Sequence, residues 1–448
     1  MCYRSHMALQ QRDPDILSPA DKGDASDTNA SGDPEDQIAA LSITQSLFYG
    51  TGGIAGGLVF TMMNNALPLF LLSYAMPLGL PAFLNPGGPI PATVVALLTN
   101  ERSFFGGLIQ PLVGHWSDRT NSRIGRRSPY VLFGGIATAI AIASLAFQPP
   151  FWLMFAAVTL AGVSLFVAVG PYTTLLADIT PYRQRGRIGG MIALAGMVGA
   201  LTFSFLSILL WETARGWVFA ITAVGVLASL AIVAFGVREP EALASQAEHA
   251  AERPARLLHE ILAYRPLAIY IAAMAVYWLG AGAATPFITR FGVIELRIPE
   301  STSFILLLVI VLATAAGAVA TGFLADKIGR KRVLMPGLAI FALAALVGSQ
   351  AQTIEQALPI MLLVGIGNAA PTALHLPLLA DLVPRLRAGA CMGFASMVWS
   401  VAQPIGSFLG GLLVDFTGSY RGVFIFAGIC MLAAALVLRF VKIEGERK

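Results

Sequence analysis

The sequence predicts an all-α integral membrane protein whose twelve transmembrane helices form two pseudo-symmetric six-helix bundles. Three observations lead to this fold class. The chain has 448 residues, of which 56% are hydrophobic and only 12% are charged, whereas roughly 25% are charged in a soluble domain. Continuous apolar runs of about 20 residues recur along the chain, and this is the length of a transmembrane helix. Two loop sequences recur in the same order in both halves.

The apolar runs indicate helices and not the strands of a membrane barrel. In lipid, backbone polar groups must be satisfied within a helix or a closed barrel, and barrel strands alternate apolar and polar residues. The third, ninth and twelfth runs are barely long enough to cross the bilayer. The predicted spans are 48–76, 94–116, 129–147, 151–177, 187–211, 217–237, 266–290, 302–325, 333–351, 356–379, 389–414 and 422–440.

Polar segments divide the chain into two bundles, a linker and two tails. Residues 1–43 are rich in Asp, Ser, Gly and Pro, and we expect a disordered cytoplasmic tail there. The first six-helix bundle is predicted over 44–237 and the second over 266–441, with a polar cytoplasmic linker over 238–265. Residues 442–448 form a second cytoplasmic tail. Three cysteines give no disulfide framework.

The basic residues predict the orientation of the spans. Of the 29 Lys and Arg residues, 17 lie in the even-numbered loops, 7 in the tails and 5 in the odd-numbered loops or at helix starts. Positive residues accumulate on the cytoplasmic side, so we expect a multi-pass plasma-membrane protein with cytoplasmic termini. A nucleic-acid partner is not expected, because a polyanion-binding face should be continuously basic.

Two pairs of loops indicate that the halves repeat. LLADITPYRQRGRIGG begins at Leu175 and LLADLVPRLRAGACMG at Leu378, an offset of 203 residues. GHWSDRTNSRIGRRSP begins at Gly114 and matches GFLADKIGRKRVL, which begins at Gly322, at an offset of 208. The chain is therefore interpreted as a duplicated six-helix unit. Parallel repeats of this kind are a transporter architecture, with the substrate bound near the midplane between the halves.

The signature Gly-x-x-x-Asp-Arg/Lys…Gly-Arg-Arg/Lys after the second and eighth spans resembles that of the major facilitator superfamily, over about 44–442. Within it, QPLVGHWSDRTNSRIGRRSPY is similar to the glycoside–pentoside–hexuronide cation symporters and their sucrose–proton symporter branch, with Ser128 in place of the last arginine. The resemblance implies transport of a small molecule across the lipid bilayer by alternating access, through a cavity lined by helices 1, 4, 7 and 10. We expect the protein to function as a monomer.

Two departures from the family pattern bear on the coupling ion and the solute. Sodium-coupled members carry two acidic residues on helix 2, where this chain has Gly106 and Gln110. The expected coupling ion is therefore the proton, and no cofactor or metal is expected. Plant sucrose symporters carry an arginine on helix 4 where this chain has Thr173, which argues against a plant-type sucrose site.

Charged residues of the repeated loops are predicted to form an inner gate. A carboxylate at one helix end can accept hydrogen bonds from a neighbouring helix N-terminus, where the dipole is positive, and arginines can pair with carboxylates of other loops. The alternative is a topology signal made of solvated charges. The predicted gate residues are Gly114, Asp118, Arg119, Arg126, Arg127, Asp178, Arg185, Arg187, Gly322, Asp326, Lys327, Arg330, Lys331, Asp381 and Arg387.

Polar and aromatic residues inside the spans are the candidates for substrate binding. Buried amides need partners, which a sugar would supply, and aromatic rings offer flat apolar faces with polar tips. Helix packing is the alternative explanation for each residue. The candidates are Asn64, Asn65, Tyr172, Tyr277, Trp278, Asn368, His375 and Gln403.

Two residues are candidates for proton coupling. His375 is the only histidine well inside a predicted span, and it aligns by the repeat with Tyr172; an ordinary histidine pKa near 6.5 suits proton transfer. Glu101 lies 17 residues before Asp118 on helix 2, or roughly 25 Å toward the outside, and ionisable groups inside spans are functional candidates. The alternatives are a histidine satisfied by a carbonyl and a carboxylate at headgroup level.

The expected function is secondary active transport of a sugar or glycoside together with protons. Proton-driven export of drugs or other amphipathic solutes is the alternative within transport. An enzyme such as an integral-membrane transferase is not expected, because the sequence has no Asp-x-x-x-Asp cluster or His-rich motif. No Gly-x-x-x-x-Gly-Lys-Ser/Thr loop supports ATP-driven transport. A receptor or scaffold descended from a transporter also stays open.

Overall fold

The computed structural model describes residues 41–78, 87–120, 122, 124–180, 182–237, 264–383 and 388–441. Within these ranges, the side chains of 101–108, 111, 118, 177–178, 182–183, 185–186, 388–390 and 392–393 are not described. The predicted tail up to residue 40, most of the predicted linker, the C-terminal tail and Arg387 therefore lie outside the described residues. The same holds for the side chains of Glu101, Asp118, Asp178 and Arg185.

Twelve long helices follow one another along the described chain. The first six are α1 (Ile43–Ser73), α2 (Ala92–Arg119), α3 (Ser128–Leu145), α4 (Phe151–Ile179), α5 (Tyr182–Leu210) and α6 (Arg215–Gly236). The second six are α7 (Arg265–Ile294), α8 (Glu300–Ile328), α9 (Arg330–Gly348), α10 (Ile354–Leu382), α11 (Ala388–Thr417) and α12 (Arg421–Leu438). Each agrees with one predicted span to within five residues at either end.

Eleven of the described helices are long and apolar enough to cross a membrane, and α2 is the exception. Its 28 residues extend over roughly 42 Å at 1.5 Å per residue, so its length is sufficient. Its composition is more polar because it carries Asn100, Glu101, Arg102 and Gln110. α2 packs against α4 and α11, and Asn100 is buried. The predicted all-α fold with two six-helix halves is confirmed.

The packing of helices in the first half recurs in the second. In the first half, α1 packs against α5 and α6, α3 against α4 and α6, and α2 against α4. In the second half, α7 packs against α11 and α12, α9 against α10 and α12, and α8 against α10. The halves meet along two equivalent pairs, α2 with α11 and α5 with α8. The repeat predicted from the loops is therefore present in three dimensions.

Hydrogen bonds near both ends of the described chain identify one side of the molecule. The N–H of Leu41 donates to Gln184 Oε1 at the start of α5 (3.2 Å). At the start of α9, Lys331 Nζ donates to the carbonyl of Val441 (2.6 Å). We call this side, which carries the even-numbered loops, the inner side, because the sequence predicts that it is cytoplasmic. The opposite side is the outer side.

Irregular turns interrupt α1 and α7 in their outer parts. α1 contains a π turn at Met62–Ala66, shortly before Pro68, and α7 contains a 3-10 turn at Thr285–Phe287. Proline has no N–H and disturbs the helical hydrogen-bond ladder. Arg290 of α7 donates through its Nε to the carbonyl of Pro68 (2.7 Å). This arginine is 2% exposed and crosses between the halves.

Glycines allow α1 and α5 to approach closely. A Cβ atom on Gly57 would overlap the carbonyl of Gly196 on α5, and a Cβ on Gly53 would overlap the carbonyl of Ile192. Small residues at such positions let helix backbones pack together, and this packing drives helix association in lipid. A Cβ on the neighbouring Gly56 would meet nothing within 4 Å. The two adjacent glycines therefore have different structural roles.

Gly57→Ala should destabilise the first half, whereas Gly56→Ala should leave it unchanged. Overpacking of a close contact costs about 1–3 kcal/mol. We expect a lower thermal midpoint for Gly57→Ala in detergent, measured by the loss of the monodisperse peak in size-exclusion chromatography after heating. Equal midpoints for the two variants would contradict the close packing of α1 against α5.

Candidate substrate-binding site

Aromatic rings from three helices of the second half meet inside the bundle. Tyr277 and Trp278 of α7 have ring centroids 5.3 Å apart, and His375 of α10 lies 6.0 Å from Trp278. Trp399 of α11 lies 5.4 Å from His375. All three contacts are edge-to-face, which the ring quadrupoles favour. We call these four residues the aromatic cluster. Sequence reasoning proposed three of them and missed Trp399.

The aromatic cluster lies at an intermediate depth in the membrane. Tyr277 is twelve residues from the inner end of α7, Trp399 is eleven residues from that of α11, and His375 is seven residues from that of α10. These positions are roughly 10–18 Å from the inner ends of their helices. The cluster is thus inside the hydrocarbon region and near the midplane, where transporters of this architecture bind substrate.

Two N–H groups of the aromatic cluster lack hydrogen-bond acceptors. The indole Nε1 atoms of Trp278 and Trp399 are buried and have no partner among the described residues. A buried donor without an acceptor costs about 1–3 kcal/mol, and native proteins pair most such groups. The cluster therefore presents hydrogen-bond donors beside flat aromatic faces. A ligand with acceptor oxygens would satisfy these donors.

Backbone carbonyls orient the imidazole of His375. Its Nδ1 lies 2.8 Å from the carbonyl of Pro371 and 3.2 Å from that of Thr372. Carbonyl oxygens only accept, so Nδ1 carries the hydrogen. The hydroxyl of Tyr270 on α7 donates to the backbone carbonyl of His375 (2.5 Å). Nε2 is then the nitrogen that accepts a hydrogen bond, or donates one when the imidazole is protonated.

The first half has a similar arrangement at the equivalent place, with tyrosine instead of histidine. Tyr49 of α1 donates to the carbonyl of Tyr172 on α4, and the hydroxyl of Tyr172 donates to the carbonyl of Tyr49 (3.0 Å). The two rings stack with centroids 4.7 Å apart. Tyr172, which was proposed as a substrate residue, is therefore only 4% exposed and packs against α1. Sequence reasoning did not single out Tyr49.

The remaining substrate candidates divide into two groups. Asn368 Oδ1 on α10 accepts from the hydroxyl of Tyr277 (2.7 Å), which connects Asn368 to the aromatic cluster. Asn64 and Asn65 are buried in the π turn of α1, and their Oδ1 atoms have no partner among the described residues. Gln403 is half-buried on α11. In the described part of the chain, no hydrogen bond or ring contact joins Asn64, Asn65 or Gln403 to the cluster.

One ion pair of the predicted inner gate lies within the second half. Arg330 at the start of α9 pairs with Asp381 of α10 (2.5 Å) and donates to the carbonyl of Pro377 (2.9 Å), so these contacts lie within the second half. Cβ atoms on Gly114 and Gly322 would meet nothing within 4 Å.

Other described gate residues also lie at inner helix ends. Arg127 is buried beside the first turn of α3, Arg126 is half-buried next to it, and Lys331 donates to the carbonyl of Val441 after α12. The exposed members are Arg119, Arg187, Asp326 and Lys327.

Polar contacts between the halves lie on the outer side. Asp415 of α11 accepts from the first N–H of α2 (2.7 Å). Glu300 of α8 accepts from Trp211 Nε1 (2.6 Å) and pairs with Arg215 (2.7 Å). Together with the bond of Arg290 to Pro68, these contacts join the two halves on the outer side. Sequence reasoning missed them because each joins residues that are far apart in the chain.

A twofold bundle with a midplane cluster of polar and aromatic groups, closed on one side, is the architecture of a secondary transporter that works by alternating access. The family model of the Major Facilitator Superfamily matches residues 49–320 and 295–448. The chain belongs to this superfamily, as the loop signature predicted.

Similar proteins carry names that indicate different transported solutes and different directions of transport. The agnestins efflux protein AgnL12 of Paecilomyces divaricatus is 23% identical over 337 residues, which cover 74% of this chain and 74% of that protein. Monocarboxylate transporter 13 of Rattus norvegicus is 27% identical over 326 residues, 71% of this chain and 74% of that protein. A solved D-xylose-proton symporter has a TM-score of 0.69 and 16% identity, covering 90% of this chain and 98% of that one. Membership of the chain in the sucrose–proton symporter branch stays a prediction.

Tyr277→Phe should destabilise the aromatic cluster. The substitution removes the hydroxyl that donates to Asn368, and a buried acceptor that loses its donor costs about 1–3 kcal/mol. We expect a lower thermal midpoint in detergent. The double variant Tyr277→Phe/Asn368→Leu should recover part of the loss, because both polar partners are then absent. An unchanged midpoint in Tyr277→Phe would contradict the hydrogen bond.

Proposed function

We propose that this protein is a proton-coupled transporter of a sugar or glycoside, and that the aromatic cluster is its substrate site. The observation that carries the proposal is the pair of unpartnered indole N–H groups beside an imidazole. Hydroxyl and ring oxygens of a sugar would accept from the indoles, and its apolar C–H face would stack on the aromatic faces. We place the transporter in the plasma membrane as a monomer, with both termini in the cytoplasm.

The location of the aromatic cluster supports different roles for the two halves, in which the second half binds the substrate and the first half moves around it. All four rings, and Asn368 beside them, belong to α7, α10 and α11 of the second half. A substrate held mainly by one half can stay bound while the other half rotates around it. The outer contacts would then break, and the predicted inner gate would form, without loss of the substrate from its site.

His375 is the proposed proton carrier. Protonation changes Nε2 from an acceptor into a donor, so the two forms of the imidazole would bind different substrate atoms. A substrate that prefers one form also raises the affinity for the proton, because coupling between two ligands is reciprocal. Glu101 is the second candidate. Its backbone lies nine residues from the outer end of α2, roughly 14 Å along the helix.

Export of amphipathic solutes is the second candidate function. It is favoured by the similarity to a protein named as an efflux protein over 74% of the chain. Aromatic faces with a few N–H donors also suit amphipathic solutes that carry a carbonyl or carboxylate. The two candidates differ in the direction of flux that a proton gradient drives, so a transport assay separates them.

Proteoliposomes containing the protein should accumulate a radiolabelled sugar when a proton gradient is imposed. A sodium gradient should not replace it, because Gly106 and Gln110 stand where sodium-coupled members carry acids. His375→Gln should reduce uptake to simple equilibration while sugar exchange persists. His115→Gln is the matched control, since His115 is exposed near the inner end of α2, and it should behave as the wild type.

Three outcomes would contradict parts of this proposal. Absence of sugar uptake under any gradient, together with gradient-driven extrusion of a dye or drug, would favour export. Uptake that needs sodium and ignores pH would exclude proton coupling. Full sugar accumulation by the His375→Gln variant would exclude His375 as the proton carrier. Glu101 would then be the remaining candidate.

Asp118→Asn tests the inner gate separately from the substrate site. The gate is proposed to form when the inner side closes, so the substitution should slow the transport cycle more than it weakens binding. We expect a lower maximal transport rate with little change in the affinity measured by equilibrium binding. Asp326→Asn is the equivalent change in the second half. If binding collapsed while turnover persisted, the gate assignment would be wrong.

A further inference from the structure

The helices α2 and α8 begin on the outer side without capping side chains of their own. Their N-cap residues are Pro91 and Pro299, and neither makes a side-chain hydrogen bond to the first turn. The first four N–H groups of a helix have no partner within the helix, and Ser, Thr, Asp or Asn at the N-cap usually supplies an oxygen. These two helices therefore need acceptors from another part of the protein or from water.

A carboxylate of the second half caps α2. Asp415, near the outer end of α11, accepts from the N–H of Ala92 (2.7 Å), the N–H of Thr93 (2.9 Å) and the hydroxyl of Thr93 (2.5 Å). A negative charge at this position is favoured by the positive end of the helix dipole. A Cβ atom on Gly411, one turn earlier on α11, would overlap the backbone of Thr93. The two helices are therefore in direct backbone contact beside the cap.

A carboxylate of the first half caps α8 in the same way. Glu212, just after α5, accepts from the N–H of Ser301 (3.3 Å) and from its hydroxyl (2.9 Å). The internal repeat relates the two caps. Glu212 and Asp415 are 203 positions apart, and Thr93 and Ser301 are 208 apart, which are the offsets of the repeated loops. Each carboxylate thus occupies an equivalent place and crosses to the opposite half.

We propose that Asp415 and Glu212 form a pair of cross-half caps that hold the outer side of the transporter closed. Each cap can form only when the halves approach on the outer side, because the acceptor and the helix N-terminus belong to different halves. When the outer side opens, both carboxylates return to water and both N-termini lose their side-chain acceptors. The caps therefore stabilise the outer-closed state relative to the outer-open state.

The two cross-half caps differ in strength because only one is reinforced. Between α5 and α8, Glu300 also accepts from Trp211 Nε1 (2.6 Å) and pairs with Arg215 (2.7 Å). The repeat places Ala92 at the position equivalent to Glu300, so α2 has no carboxylate there to bind α11. Loss of Asp415 should consequently open the outer side more than loss of Glu212.

Distances between spin labels on the two halves test the caps in the full-length protein. Phe147, between α3 and α4, and Gln352, between α9 and α10, are exposed on the outer side of different halves. Cysteines at these two positions would be labelled in a background in which Cys2, Cys391 and Cys430 are replaced by alanine. Double electron–electron resonance would then give the ratio of outer-open to outer-closed molecules.

Asp415→Ala should raise this ratio by roughly fivefold, which is the effect of losing one helix cap. Glu212→Ala should raise it less, because the contacts of Glu300 remain, and the double variant should raise it most. Asp415→Glu keeps the carboxylate and should stay near the wild-type ratio. Glu355→Ala is the matched control, since Glu355 is an exposed carboxylate in the first turn of α10, a helix of the second half.

An unchanged distance distribution in the Asp415→Ala/Glu212→Ala variant would overturn the proposal, and so would an equal shift in Glu355→Ala. If Asp415→Ala gave no monodisperse protein while Asp415→Glu did, the cap would be a folding requirement and not a gating contact, which also overturns it. None of these outcomes depends on the transported solute. The proposal of sugar transport can therefore fail while the proposal of the cross-half caps holds. The caps can likewise fail in the distance measurement while sugar transport is observed.

Discussion

Backbone polar groups inside a bilayer have no water to bond, and this constraint determines where the helices of this transporter can be irregular. The π turn of α1 and the 3-10 turn of α7 both lie where the two halves meet. There, Thr289 and Arg290 donate to the carbonyls of Asn65 and Pro68 (2.8 and 2.7 Å). An unsatisfied backbone group facing lipid would cost several kcal/mol. The break in α1 therefore contributes to the contact between the halves, because side chains of the second half donate to its carbonyls.

The internal repeat provides two copies of one scaffold, and the candidate site arises where the copies differ. Trp399 corresponds by the 203-residue offset to Gly196, a glycine in the close contact between α1 and α5. The same position thus serves helix packing in the first half and carries an indole of the aromatic cluster in the second. Likewise, Tyr172 of the first half is replaced by His375, so only the second half has an imidazole at this depth.

Much of the fold could be predicted because hydrophobic run length, basic loops and a long-range repeat are each properties of the chain itself. Four of the residues around the aromatic cluster, Tyr277, Trp278, Asn368 and His375, were also accessible, because polar groups stand out in apolar spans. Trp399 was missed because it joins the cluster through a contact with His375 on another helix, and such a contact has no local signal in the sequence. The outer contacts of Glu300 and Arg215 were missed because charges at span ends are expected in any membrane protein, and pairing across 85 positions has no local signal.

The proline N-caps of α2 and α8 have a consequence for the ancestry of the fold. Asp415 reaches from the second half to Thr93 in the first, and Glu212 reaches from the first to Ser301 in the second. This reciprocal exchange has the form of an isologous contact between two identical subunits, in which residue i meets j and j meets i. A symmetric dimer of one six-helix unit would place each subunit's carboxylate at the N-terminus of its neighbour's helix. The two halves of this chain keep that same arrangement within one polypeptide.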